Sequence, residues 1–252
     1  MTLHTFGVGV RQQVCSEILK ASVLAEKFDT IILLPIPSSK DNIHITGTEL
    51  PLADLLKIGG KRVLIAGYGL PLPFARRAVE SGFSIVDVIC DERFLVRNAE
   101  LTAHGTAGVI LTENKNDVSE LRIGIIGYGR IGKILSRILL FLGADVVVFS
   151  RREEVRLELC GVGIEAKHCE EISDLCRLDI LINTAPAEIV SPERAKELSD
   201  SGCKLIELAS GERLPSVPGL TRLPSVPDKS YPISAGRIYA AAILRAACGG
   251  AP

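Results

Sequence analysis

The stretch Leu121 to Arg152, LRIGIIGYGRIGKILSRILLFLGADVVVFSRR, decides how the rest of the chain is read. Ile123, Ile125 and Ile126 form a short apolar run that ends in Gly127-Tyr128-Gly129-Arg130-Ile131-Gly132. A helical period follows, with Ile134, Leu135, Ile138, Leu139 and Leu142 on one side, until Gly143 stops it and Val146-Val147-Val148-Phe149 supplies a second buried run. Strand, glycine-rich loop, helix and strand, in that order, are the context in which GxGxxG signifies a phosphate-binding turn. Gly127 is expected to permit the tight turn, Gly129 to let backbone approach a pyrophosphate, and Gly132 to let helix and strand pack closely. The helix start then offers free N–H groups and a partial positive charge to phosphate. Residues Gly127, Tyr128, Gly129, Arg130, Ile131 and Gly132 are the predicted cofactor loop; the plainer alternative is the same Rossmann half without a nucleotide.

The end of the second strand sharpens the prediction. Sites that prefer NAD usually carry Asp or Glu about 20 residues past the loop, where it accepts from the ribose 2′-hydroxyl. Here the place is held by Ser150-Arg151-Arg152. A hydroxyl and two guanidinium groups suit a 2′-phosphate, because arginine offers fork-shaped, charge-assisted donors. NADP is therefore expected over NAD, against the alternative that these arginines are a solvated helix start.

Bulk properties narrow the function classes. The chain has 252 residues, 47% of them hydrophobic, so it can bury two modest cores. Its formal net charge of −1, with acids and bases mixed, leaves no electrostatic footprint for nucleic acid or an anionic membrane. Seven cysteines, Cys15, Cys90, Cys160, Cys169, Cys176, Cys203 and Cys248, form no CxxC pair. Buried reduced thiols are expected for most of them, with neither a metal site nor a disulfide framework. The chain start shows no signal-peptide pattern, and no apolar run approaches the ~20 residues that cross a bilayer, so a cytoplasmic protein is expected.

Taken in order, the chain alternates strands and helices. Thr2 to Val10 reads as a strand, Gln13 to Ala25 as a helix, and Asp29 to Leu34 as a buried strand ending at Pro35-Ile36-Pro37. Ser38, Ser39 and Lys40 leave its carboxyl end, where open α/β sheets place ligands. Glu49 to Lys57 reads as a short helix and Arg62 to Ala66 as a strand; Gly67-Tyr68-Gly69 begins like a second phosphate loop, but Pro71 and Pro73 remove the donors it needs. Helix Phe74 to Ser81 and strand Ser84 to Val88 follow. Asp91 to Asn116 is weakly helical and contains His104, whose imidazole is of the type that moves protons in catalysis; a structural histidine is the alternative.

Beyond the loop, Glu153 to Cys160 reads as a helix, Gly163 to Ala166 as a strand and Cys169 to Cys176 as a short helix. Leu178 to Ile182 is a buried strand ending in Asn183-Thr184-Ala185-Pro186. A helix from Pro192 to Ser199 is capped by Ser191, and strand Lys204 to Leu208 runs into Ala209-Ser210-Gly211. Both strand ends point toward the crevice above Gly129, so Asn183, Thr184, Ala185 and Pro186 join the cofactor candidates, while Glu207 and Ser210, with His104, are the catalytic ones. A proline-rich loop from Leu214 to Pro232 precedes an alanine-rich helix, Ser234 to Cys248, with Ser234 as its expected cap.

Across these segments the chain resembles the dipicolinate synthase A family, relatives of the D-2-hydroxyacid dehydrogenases. The resemblance is carried by IIGYGRIGKILSRILLFLGADVVVFSRR, DILINTAPAEIV, IELAS and YPISAGRIYAAAIL, in that order. It implies NADP-dependent oxidation of a dihydrodipicolinate-type ring, in a spore-forming bacterium, by hydride transfer to nicotinamide. It also implies a small dicarboxylate as substrate, held by Ser39, Thr102, Ser234 and Arg237, and a flavoprotein-like second subunit. The family pattern Pro-Thr-x-Glu-Gly stands here as Leu101-Thr102-Ala103-His104-Gly105, and Asp-Leu-Ala-Ser as Glu207-Leu208-Ala209-Ser210. Against the family, the amino-terminal domain is expected to lack its first strand and helix.

The expected architecture is α/β, with two Rossmann-like or flavodoxin-like parallel-sheet domains, a cleft between them and linking helices. The expected division is an amino-terminal domain over 1–96 with helix 234–252 packed back on it, a connecting helix over 97–118, and an NADP-binding domain over 119–233. A homo-oligomer is expected, with no nucleic acid or membrane partner. Two alternatives stay open: an NADP-binding subunit or redox sensor that acts in assembly without catalysis, and a 2-hydroxyacid dehydrogenase-like enzyme with another substrate.

Overall fold

Parallel pairing governs both sheets of the computed structural model, which describes residues 1–173 and 177–249. Parallel strands need long crossovers and, away from the sheet edges, are covered on both faces, which is why the central strands are built around short apolar runs. The chain divides into Met1–Asn98 with Pro227–Pro252, and Ala99–Val226.

The first unit begins with β1 (Thr2–Thr5), α1 (Val10–Lys20), α2 (Leu24–Lys27), β2 (Thr30–Leu33), β3 (Val63–Gly67), α3 (Leu72–Glu80) and β4 (Ser84–Asp87), and its sheet runs β1-β2-β3-β4. Alternate residues of β2 and β3 face opposite cores. Ile31, Leu33, Leu64 and Ala66 pack with Cys15 and Leu19 of α1. Ile32, Leu34, Val63 and Ile65 pack with Phe74 and Ala78 of α3. Each crossover advances one place across the sheet in the same direction, yet α1 lies on one face and α3 on the other. The β1–α1–β2 crossover therefore has the opposite hand to β3–α3–β4, a departure from the uniform handedness of most parallel sheets.

Helix α4 (Glu92–Glu113) leads into the second unit, and the division falls within it. Then come β5 (Arg122–Ile126), α5 (Arg130–Phe141), β6 (Asp145–Phe149), α6 (Glu153–Gly161), β7 (Glu165–Lys167), β8 (Ile180–Asn183), α7 (Pro192–Asp200), β9 (Lys204–Glu207) and β10 (Leu220–Arg222). The sheet order β7-β6-β5-β8-β9-β10 is that of a doubly wound dinucleotide fold, with the direction of winding reversing between β5 and β8. Ala103, Ala107 and Ile110 of α4 recur at helical spacing and cover the sheet together with Leu135 and Leu139 of α5. Ala195 and Leu198 of α7 cover the other face.

Helices α8 (Val226–Ser230) and α9 (Pro232–Ala247) close the chain on the first unit. Helix α9 packs on α1 so closely that a Cβ at Gly236 would lie 2.7 Å from the Arg11 carbonyl oxygen and from Val14 Cβ. The buried Tyr239 hydroxyl donates to the Leu34 carbonyl, 2.9 Å, tying α9 to the end of β2.

Several local expectations need correction. Ser234 does not cap the last helix: α9 begins at Pro232 after Tyr231, because proline is tolerated in a first turn that needs no donor there. The segment from Leu214 to Pro232 is not a plain loop, since β10 pairs with β9 and α8 follows. Its edge strand is three residues long and only half-buried, too short for a periodic signal. Leu52–Lys57 is a 3-10 helix. Cys169–Glu171 is another, and the remainder of the helix expected there, with Cys176, lies outside the described residues. Of the six described cysteines, Cys90, Cys160 and Cys248 are exposed, against the expectation of burial for most. Burial pushes the Cys15 thiol up to about 12, and that of Cys203 likewise to about 12, so both stay protonated. Among the described residues no helix is long and apolar enough to cross a membrane.

Asp91 joins α4 to α9: it accepts from the Phe94 amide at 3.0 Å and from Arg245 Nη2 at 2.6 Å. Burial pushes its carboxyl up, but the Phe94 amide and the Arg245 guanidinium outweigh that and hold it below the ordinary 3.8. A depressed carboxyl stabilises the fold above its ordinary value and loses that contribution as pH falls through the folded value. Asp91→Asn is expected to be less stable than the parent by ~1–2 kcal/mol at neutral pH, with the gap closing below about pH 4, as read by urea unfolding across that range. Gly236→Ala forces α1 and α9 apart, and a loss of ~1–3 kcal/mol is expected in the same measurement.

Candidate functional site

The loop between β5 and α5 is built by glycine. Gly127 has φ 92°, a left-handed conformation open to glycine at little cost, and its amide donates to the Phe149 carbonyl at 2.9 Å. A Cβ at Gly132 would lie 2.2 Å from the Gly127 carbonyl oxygen, so only glycine lets α5 approach the turn this closely. Gly129, by contrast, is exposed, and a Cβ there would meet nothing within 4 Å: its face is open to a ligand. Helix α5 starts at Gly129 with no side-chain cap and no acidic residue in its first turn, leaving its positive end to an incoming anion. Tyr128 is buried with the Lys133 ammonium 5.1 Å from its ring centroid, while Ile131 is half-buried and Arg130 exposed. These residues fit the pyrophosphate of a dinucleotide.

Across the switch point, the Thr184 hydroxyl donates to the Ile126 carbonyl at 2.8 Å. It stands where a Cβ at Gly127 would meet it at 3.0 Å. Ala185 is half-buried and Pro186 exposed beside it. The Asn183 side chain is buried and closes a turn on itself, its Oδ1 accepting from the Ala185 amide at 3.0 Å.

At the end of β6, Ser150 is buried and its hydroxyl accepts from the Arg152 amide at 3.2 Å, which presents Arg151 and Arg152 at the surface. Arg152 reaches Glu154 only at 3.8 Å. Arg156, one turn into α6, donates to the Ser150 carbonyl at 2.8 Å and holds this corner. Burial pushes the neighbouring Cys169 thiol up, and the positive charges of Arg151 and then Arg156 work against that push. Sequence reasoning passed over Arg156, whose spacing from Arg152 on one helix face was the available signal. Lys167, which pairs in register with Phe149, also ends at this corner and is salt-bridged to Glu165 at 3.0 Å.

Glu207 is buried, and both of its oxygens already accept hydrogen bonds, from Asn183 Nδ2 at 3.0 Å, the Ala209 amide at 2.9 Å and the Leu214 amide at 2.6 Å. Those partners serve to hold a loop, which argues against the catalytic role expected for it. Ser210 and His104 are exposed. Thr102 is buried, one turn from Thr106, whose hydroxyl donates to the Thr102 carbonyl at 2.8 Å.

In the first unit, Ser39 is half-buried and donates to Asp41 at 3.1 Å, Ser234 is half-buried in the first turn of α9, and Arg237 is exposed. Among the described residues no hydrogen bond joins Ser39 to Ser234 or Arg237. Ser38 is fully buried and accepts from the Tyr68 amide at 2.7 Å. The Gly69 and Leu70 amides, which a second phosphate loop would offer to a ligand, both donate to Asp87, at 2.8 and 2.7 Å. Arg11 was also passed over: it is buried at the start of α1, with Nε 2.7 Å from Asp228. In sequence it looks like any arginine on a helix surface.

Residues 95–189 match the family model described as D-isomer specific 2-hydroxyacid dehydrogenase, NAD binding domain. The combination of fold, loop and match is that of an NAD(P)-dependent oxidoreductase. Among solved structures the chain is similar to dipicolinate synthase A from Bacillus halodurans, with 20% identity, 97% of each chain covered and a TM-score of 0.74. It is similar to dipicolinate synthase, A chain, from Bacillus subtilis, with 19% identity, 99% of this chain and 96% of that one covered and a TM-score of 0.75. D-lactate dehydrogenase from Escherichia coli is also similar, with 16% identity, 100% and 98% covered and a TM-score of 0.63. At such identities these likenesses establish the fold. No curated protein matches the chain in sequence.

Two glycine variants separate the roles of the loop. Gly129→Ala is expected to keep the parent's thermal midpoint, because its Cβ has room, yet to weaken NAD(P)H binding by about tenfold or more through encroachment on the pyrophosphate. Gly132→Ala is expected to lose both stability and binding. Thermal unfolding and cofactor fluorescence titration of each variant check this.

Proposed function

We propose that the chain is an NADP-dependent oxidoreductase of the dipicolinate synthase A type, oxidising a dihydrodipicolinate-like cyclic dicarboxylate. One observation carries the cofactor half: the β6 end holds buried Ser150 followed by exposed Arg151 and Arg152, with no carboxylate at the place that would accept from a ribose 2′-hydroxyl. Arg151 and Arg152 bind the 2′-phosphate, Arg156 keeps their loop in place, and Gly129 with the start of α5 receives the pyrophosphate. When bound, the nicotinamide accepts a hydride at C4.

The remaining chemistry belongs to side chains of this chain. Removal of a hydride and a proton from the dihydro ring makes it aromatic, which drives the reaction forward. His104 takes the proton at an imidazole nitrogen, the role that the acidic residue of the resembling pattern would otherwise fill. Arg237 and the hydroxyls of Ser39, Thr102 and Ser234 recognise the two carboxylates, and Ser210 adds a donor. The same resemblance supports a flavoprotein-like second subunit, a homo-oligomeric assembly, and a cytoplasmic setting in a spore-forming cell.

A second reading is favoured by the engagement of Glu207 with three donors, which removes one of the three catalytic candidates. In that reading the chain binds NADP and acts in assembly without turning over a substrate.

Calorimetric titration with NADP and NAD, on the parent and on Arg151→Ala, tests the first reading. NADP is expected to bind more tightly than NAD, and Arg151→Ala to weaken NADP by about tenfold, the effect of one charge-assisted contact, while sparing NAD. Tighter binding of NAD would overturn the cofactor assignment. Tight NADP binding without reduction of NADP by dihydrodipicolinate-like substrates would favour the assembly reading.

A further inference from the structure

Glu207 is the only buried charged side chain among the described residues of the second unit. Burying a carboxylate is costly unless its oxygens are hydrogen-bonded, and no lysine or arginine among the described residues pairs with this one. Three N–H donors compensate instead. The Leu214 amide approaches Oε2 at 2.6 Å, while the Ala209 amide and Asn183 Nδ2 share Oε1.

The chain of contacts does not stop at Asn183. Its Nδ2 also donates to the Ala185 carbonyl at 3.2 Å, and its Oδ1 accepts from the Ala185 amide, so the side chain shapes the whole turn from Asn183 to Ala185. Within that turn Thr184 donates to the Ile126 carbonyl twice, from its amide at 3.0 Å and its hydroxyl at 2.8 Å. The same hydroxyl oxygen stands 3.0 Å from where a Cβ at Gly127 would be and 3.3 Å from one at Gly132. A continuous network therefore runs from the loop after β9, through Glu207 and the end of β8, to the two glycines of the cofactor loop.

We propose that Glu207 is a positioning residue for the cofactor loop: by fixing Asn183 and Thr184 it sets the cradle between Gly127 and Gly132. Its functional meaning rests on the dinucleotide reading given above. The reach of the side chain matters, because it must bridge Asn183 on one strand and Leu214 beyond the next turn.

Glu207→Gln preserves the shape but turns one acceptor into an NH2 that faces a donor. Amide hydrogen exchange of the free protein is expected to accelerate at least about tenfold at Ala209 and Leu214, and also at Thr184 and Gly127, while the amides of β1–β4 are unchanged. NADP is expected to bind about tenfold more weakly. The coupling is reciprocal, so Thr184→Val should accelerate exchange at Ala209 and Leu214, and this variant decides the matter if Glu207→Gln does not fold.

Exchange changes confined to Ala209 and Leu214 in Glu207→Gln would overturn the proposal. So would unchanged NADP affinity in that variant, or no effect of Thr184→Val on Ala209 and Leu214. If the parent binds neither NADP nor NAD, the dinucleotide reading falls, and the exchange pattern of the free protein still decides the role of Glu207.

Discussion

No side-chain carbon can stand at residue 132: a Cβ there would lie 2.2 Å from the Gly127 carbonyl oxygen, well inside van der Waals contact. That single close approach fixes where α5 begins relative to β5, and hence where its positive end points. Because β5 and β8 flank the reversal of winding, the loops that leave them diverge and open a crevice at that helix end. The open face of Gly129, the hydroxyl of Thr184 and the turn at Asn183 are all arranged around this constraint. The rest of the unit keeps it rigid, through cores on both faces of the sheet.

Charge at the far end of the crevice is handled differently from charge in its wall. Arg151 and Arg152 stay exposed to water, where their hydration is kept, so the guanidinium groups cost little. Glu207 is desolvated and is tolerated because three N–H groups point at it. The first arrangement suits recognition and the second suits rigidity. A carboxylate whose two oxygens are both engaged has little freedom to swing toward a substrate, which is the physical reason for assigning it to the framework.

The first unit offers a contrasting solution. Its sheet is ordered β1-β2-β3-β4 with no reversal of winding, and the glycine turn after β3 donates its amides to Asp87. A loop that satisfies its own donors has nothing left for a phosphate. Proline at residues 71 and 73 signals this in the sequence, but the identity of the acceptor does not appear there. The buried Arg11 beside Asp228 is similar: the two partners lie near opposite ends of the chain.

The sequence by itself determined the periodic elements and the cofactor loop. Strands β2, β3, β5, β6, β8 and β9 are each built around a short apolar run, and GxGxxG between Ile126 and Ile134 specifies its own local conformation through missing side chains. Ser191 before Pro192 announces α7 in the same way, through short-range hydrogen bonding. What needed tertiary structure was everything set by partners remote in sequence. Only the packing of β10 on β9 makes a strand of Leu220–Arg222, and only the return of the chain beside Glu207 converts a catalytic-looking carboxylate at a strand end into a buried tie for Asn183 and Leu214. Local conformation follows from local sterics, whereas the role of a polar side chain depends on which donors the fold brings to it.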